Sequence, residues 1–370
     1  MLYIIVHNYT LMQEGVMMKR CLQKIIDGND LTRAEAEVAM EQILENATDA
    51  QIGAFVMGMK MKGETPEEIT GFVNAMLKVA NLISPEVGGT LVDVVGTGGD
   101  RHNTINISTP AAIVAAAAGV TIAKHGNYSF SSLSGSADVL RELGVKIDLE
   151  PDQVKRSIED TGIGFMLAPK FHPAMKRVVG PRKEMGVRTM FNILGPLTNP
   201  TGAKSQVVGV FDKSLCRLMA EALCRLGKEH VLVLHGDGMD EISTLSETYI
   251  VELKDGLITT YTITPEDLGV PRAKATDIVG GTPEENARDI LYIFNGEKGP
   301  KRDIIVVNAA AAIYVAGMAD SIKEAIPIAE EAIDSGKALD KLKQFIEFTS
   351  GKKVENESLN ACQSMRHEIC

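Results

Sequence analysis

The chain has 370 residues and a net charge of −11 at neutral pH, from 38 Lys and Arg against 49 Asp and Glu. This negative charge argues against a general binder of nucleic acid or of anionic membranes, because both need a positively charged surface on the protein. Hydrophobic residues make up 45% of the chain and charged residues 24%, which is typical of a folded globular protein and excludes a disordered one.

Neither a membrane span nor a disulfide framework is predicted. The longest uncharged stretch, His102–Ala123, is polar in its first half, and its apolar remainder is too short to cross a bilayer. The five cysteines are an odd number without a CxxC pair, so we expect a reduced, cytoplasmic protein. The N-terminus lacks the basic start and long apolar core of a signal peptide. Because Met17 and Met18 directly precede a helix-like segment, residues 1–16 are expected to be an upstream extension from a misassigned start.

Residues 17–88 predict a small all-helical domain. Four short helices are expected over about Lys19–Leu82, and the Pro- and Gly-containing segment Ser84–Gly89 is expected to be a linker. Three of the helix starts carry a capping box, in which a threonine is followed three residues later by Glu or Gln: Thr32 with Glu35, Thr48 with Gln51, and Thr65 with Glu68.

Residues 89–351 predict an α/β domain with a mostly parallel central sheet flanked by helices, because short apolar runs alternate with helical patterns. The predicted strands are Leu91–Val95, Val120–Ala123, Val145–Ile147, Ile163–Leu167, Val207–Phe211, His230–Leu234 and Ile304–Val307. The predicted helices are Ala111–Gly119, Ser136–Leu143, Pro151–Thr161, Lys213–Gly227 and an Ala-rich one after Val307. Tyr249–Leu253 and Leu257–Ile263 predict an antiparallel hairpin. A helical segment at about 170–195 is expected to pack on the helical domain, and 352–370 to form a flexible tail.

A glycine-rich segment, 93–100 (DVVGTGGD), follows the first predicted strand and precedes a helix start at Asn106–Thr109. Glycines let a backbone approach a phosphate, and the amides at a helix start bind anions. The spacing fits neither a dinucleotide-binding fingerprint nor a Walker A loop. Taken alone, such a segment is as often a tight connection as a ligand site.

A second polar segment, 124–138 (KHGNYSFSSLSGSAD), follows the second predicted strand. Ligands bind at the carboxyl ends of strands in open α/β sheets, and Lys124 offers a positive charge there. A solvated serine-rich loop is the competing interpretation. The position after an apolar strand favours a site.

Two further segments carry candidate ligands. Asp240 and Glu241 end the acidic loop after His230–Leu234, where paired carboxylates suit Mg²⁺ beside phosphates, although an ordinary acidic turn is equally plausible. Phe171–Pro173, Gly180–Arg182 and Asn192–Pro200 form a region rich in Gly, Pro and Asn, in which the Arg182 guanidinium can bind a carboxylate.

Together the four segments resemble the anthranilate phosphoribosyltransferases, over about Lys19–Gly351 and in the same order. The resemblance implies a small helical domain, a larger α/β domain and a homodimer joined through the helical domain. It implies transfer of the phosphoribosyl group of phosphoribosyl diphosphate to the amine of anthranilate, in tryptophan biosynthesis.

The resemblance also implies residue roles. Residues that bind phosphoribosyl diphosphate are expected to be Gly96, Gly99, Asp100, Thr104, Asn106, Ile107, Ser108, Thr109, Lys124, His125, Gly126, Asn127, Tyr128, Ser129, Phe130, Ser131, Ser132 and Ser136. Anthranilate is expected at Gly96, Asn127, His172 and Arg182, and two Mg²⁺ ions at Ser108, Asp240 and Glu241. His125 is a candidate general base, with a neutral histidine that only hydrogen-bonds the ligand as the alternative.

Some positions depart from the family pattern, and two other functions stay open. Tyr128, Phe130 and Leu133 stand where the family commonly has Arg, a smaller residue and Lys. A pyrimidine-nucleoside phosphorylase shares this general architecture, but the Asp240–Glu241 pair favours the transferase. A non-enzymatic relative that binds nucleic acid is disfavoured by the net charge of −11.

Overall fold

The computed structural model describes residues 17–99, 103–129 and 133–354. The proposed extension at 1–16 and most of the proposed tail at 352–370 lie outside these ranges. None of the helices in the described ranges is long and apolar enough to cross a membrane.

The N-terminal part is helical, as predicted. It contains α1 (17–26), α2 (Arg33–Glu45), α3 (Asp49–Lys62) and α4 (Pro66–Lys78). All three capping boxes are confirmed, because each threonine side chain accepts the amide of the Glu or Gln three residues on. The segment 84–89, which is predicted to be a linker, contains neither helix nor strand.

A seven-stranded sheet follows, in the order β3-β2-β1-β4-β5-β6-β7. Its strands are β1 (Leu91–Gly96), β2 (Thr121–Gly126), β3 (Ile163–Leu167), β4 (Ser205–Gly209), β5 (His230–His235), β6 (Thr248–Lys254) and β7 (Leu257–Ile263). The first five strands are parallel, and β6 and β7 form the predicted antiparallel hairpin at one edge. The expected α/β fold is therefore confirmed.

Twelve more helices are described in this part of the chain. They are α5 (Ser108–Ala117), α6 (Ser136–Glu142), α7 (Pro151–Thr161), α8 (Ala168–Phe171), α9 (Lys176–Met185), α10 (Phe191–Leu197), α11 (Leu215–Arg225), α12 (Pro265–Leu268), α13 (Pro283–Phe294), α14 (Pro300–Val315), α15 (Ile322–Asp334) and α16 (Lys337–Ser350).

Three predictions from the apolar runs were wrong in type or position. Ile304–Val307 is not a strand but part of α14, a helix that is buried on all sides and therefore shows no polar face. Val145–Ile147 forms no strand, although Val145 and Ile147 are buried. The strand expected at Val207–Phe211 begins and ends two residues earlier, as β4.

Two large hydrophobic cores lie on opposite faces of the sheet. Successive β4 residues alternate between them, with Val207 in the core beneath α5 and α14, and Val208 in the core shared with α2–α4. Val178 of α9 and Phe191 of α10 belong to this second core. The segment around α9 and α10 therefore packs between the helical bundle and the sheet.

Candidate active site

The carboxyl ends of β1, β2, β4 and β5 meet at one edge of the parallel sheet. These strands end at Gly96, Gly126, Gly209 and His235, so the loops that follow β1, β2 and β5 lie side by side. Three of the four polar segments singled out in the sequence are thereby brought together, although up to about 140 residues separate them in the chain.

The loop after β1 is held in place by its own backbone amides. Gly98 and Gly99 have φ values of +68° and +75°, a conformation that glycine adopts without strain. The Thr97 amide donates to the Gly209 carbonyl at 3.0 Å, and the Gly98 amide donates to Asp240 Oδ2 at 2.7 Å. These two amides of the glycine-rich segment therefore already have partners within the protein.

The start of α5 offers the open donors instead. Its N-cap residue, Ile107, has no side chain that can cap the helix, and Pro110 has no amide hydrogen. The first amides of a helix lack partners within it, so those of Ser108 and Thr109 are available to an anion. Thr109 Oγ1 is also buried without a hydrogen-bond partner among the described atoms. The helix start is thus suited to receive phosphate oxygens.

Asn106 and Thr104 mainly shape the approach to that helix. Asn106 Oδ1 accepts Ser134 Oγ at 2.8 Å and Asn286 Nδ2 at 2.9 Å, which ties three segments together. Thr104 forms an isolated bridge with Val279.

Lys124 places a buried ammonium group between the strands. It is 3% exposed, donates from Nζ to the Val94 carbonyl, and lies 3.4 Å from Ser108 Oγ. Burial lowers the pKa of Lys124, while the nearby carboxylates Asp93, Glu241 and Asp240 oppose that effect. The acidic neighbours thus favour a charged amine beside the α5 start.

Asp240 packs directly against the ends of β1 and β4, at Gly96 and Gly209. An ideal Cβ on Gly96 would lie 2.3 Å from Asp240 Oδ2, and one on Gly209 would lie 1.5 Å from the Asp240 carbonyl oxygen, so neither position has room for a side chain. Burial raises the pKa of Asp240, and the Gly98 amide and Lys124 act in the opposite direction. A cation bound at this carboxylate would favour its ionised form further.

His235 fixes the loop that carries the acid pair. Its Nδ1 donates to the Val210 carbonyl at 2.8 Å, and its Nε2 accepts the Gly238 amide at 3.0 Å. Asp237 adopts a φ of +50°, which turns the chain sharply before Asp240. Through these two hydrogen bonds the imidazole has a structural role in holding the loop.

Two buried histidines face each other beside the sheet. The His125 and His172 ring centroids are 5.2 Å apart. Burial lowers the pKa of His125 to about 3, with a further contribution from His172, and a hydrogen bond to the Gly195 backbone opposes the shift. Burial also lowers the pKa of His172 to about 4, and its Nε2 donates to the Thr198 carbonyl at 2.9 Å. Both rings are neutral near pH 7, and His125 Nε2 has no partner among the described atoms.

Arg182 lies on α9, a helix that contacts α2 and α3 of the helical bundle. Its Cζ atom is 5.3 Å from the centroid of the Phe191 ring, and its side chain makes no ion pair or hydrogen bond within the described ranges. Burial lowers the pKa of Arg182. A half-buried guanidinium with unused donors is suited to bind a carboxylate.

The loop after β2 is anchored by an acid that the sequence reading passed over. Asp138 Oδ2 accepts the Ser129 and Gly135 amides at 3.0 and 3.1 Å, next to Ser136 at the start of α6. Asn127 and Tyr128 project from this loop and are exposed. Four predicted ligand residues lie outside the described ranges: Asp100, Phe130, Ser131 and Ser132.

Asp93 is a second residue missed by the sequence reading. It is fully buried in β1, where Oδ1 accepts the His125 amide at 3.1 Å and Oδ2 accepts Gln206 Nε2 at 3.2 Å. The sequence signal for its role is an acid inside the apolar run LVDVV, because a carboxylate buried in a strand needs hydrogen-bond partners.

Two family models match the chain. The helical bundle domain of a glycosyl transferase family matches residues 19–80, and the α/β domain of that family matches residues 88–339. An anthranilate phosphoribosyltransferase of Methanococcoides burtonii is 77% identical over 353 residues, covering 95% of this chain and 100% of the relative. One of Methanosarcina acetivorans is 59% identical and covers 93% of both.

The chain belongs to the anthranilate phosphoribosyltransferase family. The resemblance carried by the four segments is thereby confirmed. The Thermus thermophilus enzyme of this family has a TM-score of 0.85 with the chain at 42% identity, covering 89% of it and 99% of the solved chain. The Saccharomyces cerevisiae enzyme, solved in complex with PRPP and Mg, has a TM-score of 0.83 at 28% identity, covering 91% and 99%.

Proposed function

We propose that this chain transfers the phosphoribosyl group from 5-phosphoribosyl 1-diphosphate to the amine of anthranilate, giving N-(5-phosphoribosyl)-anthranilate and diphosphate. The observation that carries the proposal is the meeting of Lys124, Asp240 and the uncapped start of α5 at one sheet edge. The arrangement combines donors for a polyanion with a carboxylate for the cation that accompanies it. Family membership identifies the two substrates.

The residues present fit Mg²⁺. Asp240, Glu241 and the Ser108 hydroxyl are hard oxygen donors, and Mg²⁺ in phosphate-transfer sites takes one or two carboxylates together with substrate phosphates. No group of three or more His, Cys, Asp or Glu suited to a metal occurs in the described ranges. Two bound ions would neutralise charge on the departing diphosphate.

Backbone amides and a lysine of this chain would also stabilise the charge on the departing diphosphate. The amides of Ser108 and Thr109 and the ammonium of Lys124 are fixed before the substrate arrives, so they stabilise charge on the leaving diphosphate without reorganising. The remaining predicted binders, from Gly96 to Thr109 and from Lys124 to Ser136, would surround the ribose and its 5-phosphate. Their roles rest on the resemblance.

Anthranilate would lie between the neutral histidines and Arg182. The Arg182 guanidinium would bind the anthranilate carboxylate, and His125 Nε2 would accept a hydrogen bond from the amine. A ring whose pKa lies near 3 is a weak base, so we assign His125 to positioning the amine rather than to removing its proton beforehand. The proton becomes acidic as the new C–N bond forms.

We also propose a homodimer formed through the helical domain in the cytoplasm, without nucleic-acid or membrane partners. The exposed apolar side chains Ile26 and Met61, which are 74% and 84% exposed on α1 and α3, support this face as the contact. Light scattering of Met61→Glu, compared with wild type, tests it: a dimer that persists unchanged argues against this face.

The reaction is tested by following anthranilate fluorescence with phosphoribosyl diphosphate, with and without Mg²⁺. We expect Mg²⁺-dependent loss of the anthranilate signal and formation of diphosphate. No consumption at millimolar substrates would refute the assignment. Phosphorolysis of thymidine or uridine, measured in parallel, would instead favour the nucleoside phosphorylase alternative.

A further inference from the structure

A second arginine, Arg188, lies in the connection between α9 and α10, six residues after Arg182. Its Nη2 donates to the Gly99 carbonyl in the loop after β1. Its Cζ atom lies 4.3 Å from the centroid of the Phe211 ring, in the range of a cation–π contact. Within the described ranges it makes no ion pair with a carboxylate, and its side chain contacts a backbone oxygen and an aromatic face.

The Phe211 ring belongs to the same loop cluster. The Phe211 amide donates to Thr97 Oγ1 at 3.0 Å, and the Thr97 amide donates to the Gly209 carbonyl at 3.0 Å. Arg188 therefore hydrogen-bonds to the loop at Gly99 and stacks on Phe211, a residue whose amide is hydrogen-bonded to Thr97 at the start of the loop. Together these contacts constrain the backbone of Gly98 and Gly99 from both sides.

These contacts matter because two consecutive glycines are the most flexible stretch of backbone a loop can contain. Gly98 directs its amide at Asp240, the proposed Mg²⁺ ligand, at 2.7 Å. Holding the Gly99 carbonyl limits rotation of the peptide groups on either side. The amide that orients Asp240 is thus kept in place before a substrate binds.

We propose that Arg188 is a positioning residue that preorganises the diphosphate half of the site, acting through Gly99 and Phe211. The inference rests on the proposed function. Because its contacts lie on the diphosphate side, its loss should weaken binding of phosphoribosyl diphosphate rather than binding of anthranilate. A purely structural role in joining α9 to α10 would disturb both substrates, since Arg182 belongs to the same segment.

The test is Arg188→Lys, which keeps the charge but loses the planar fork and its stacking. We expect the KM for phosphoribosyl diphosphate to rise about tenfold, as loss of one charge-assisted hydrogen bond implies, while the KM for anthranilate changes less than about twofold. Titration calorimetry with Mg²⁺ and phosphoribosyl diphosphate should give a matching rise in Kd. Phe211→Leu, which keeps Arg188 and removes only the ring, should give a smaller change of the same kind.

The matched control is Arg177→Lys on α9. Arg177 also donates from Nη2 to a backbone carbonyl, that of Ala47, at 2.7 Å, but away from the phosphate loop. It should leave both KM values near wild type. An unchanged KM for phosphoribosyl diphosphate in Arg188→Lys, or an equal rise in both KM values, overturns the inference. An inactive wild type refutes the proposed function instead, so the two failures are distinguishable.

Discussion

A methyl group at position 96 is expected to displace the Asp240 carboxylate. An ideal Cβ on Gly96 lies 2.3 Å from Asp240 Oδ2, and the separation must open to at least 3.0 Å, so the oxygen moves by about 0.7 Å. Gly96 does not have a positive φ, so the backbone itself can accept alanine. The perturbation in Gly96→Ala therefore falls on the carboxylate.

The cost follows from what the carboxylate contacts. A misplacement of about 1 Å in a reacting assembly costs roughly 100-fold in rate, so we expect kcat of Gly96→Ala to fall roughly 10- to 100-fold. The hydrogen bond from the Gly98 amide, now 2.7 Å long, should lengthen. Because Gly98 is exposed and its amide can turn to water, weakening of this bond should lower the free energy of unfolding by only about 0.5–1.5 kcal/mol.

The assay is steady-state turnover of anthranilate across a series of Mg²⁺ concentrations, with thermal unfolding in parallel. Gly96→Ala should need more Mg²⁺ for half-maximal rate than wild type. The control is Gly53→Ala in the interior of α3, where nothing lies within 4 Å of the added Cβ. Wild-type kcat and an unchanged Mg²⁺ requirement in Gly96→Ala would show that the position of Asp240 does not govern the reaction.

The remaining predictions concern other parts of the site. Arg182→Ala should mainly raise the anthranilate KM, and an unchanged KM in steady-state kinetics would remove it from that subsite. The double variant Asp240→Ala with Glu241→Ala should suppress turnover at any anthranilate concentration, and a wild-type kcat would disprove the metal assignment. Burial holds the pKa values of His125 and His172 near 3 and 4, below the ordinary 6.5 of a histidine. Between about pH 4 and pH 6.5 the unfolded chain therefore binds more protons than the folded chain. Stability should therefore fall as pH drops from about 6.5 toward 4, less steeply in His172→Gln, and parallel melting curves for both proteins would contradict this.

Local sequence patterns were enough to predict the strands whose polarity alternates and the helices whose ends carry capping signals. The hairpin was readable because Lys254–Asp255–Gly256 separates two alternating runs, and Asp255 and Gly256 do adopt positive φ values of 51° and 78°. The segment Ile304–Val307 was misread because α14 is buried all round, and four apolar residues fit a strand and a buried helix equally well. Only packing against the sheet and α15 distinguishes the two.

The site itself was predictable in its chemistry but not in its connections. Ser108, Lys124 and Asp240 stand at strand or helix ends that the sequence marks, so their types and positions could be chosen in advance. The hydrogen bond from Gly98 to Asp240 joins residues 142 positions apart, and the contact of Arg188 with Gly99 joins residues 89 apart. No local pattern encodes such pairs, because they depend on how the loops after different strands meet.

The net charge of −11 and the two anionic substrates are reconciled by where the charges lie. Lys124 is buried, and Arg182 and Arg188 are half-buried, so screening is weaker there and each positive charge acts more strongly on a bound anion. Asp240, though negative, would contribute to the same end if it binds Mg²⁺ beside the diphosphate, as proposed above. An acidic chain can therefore bind polyanions at one edge of its sheet, while its overall charge still disfavours an extended nucleic acid.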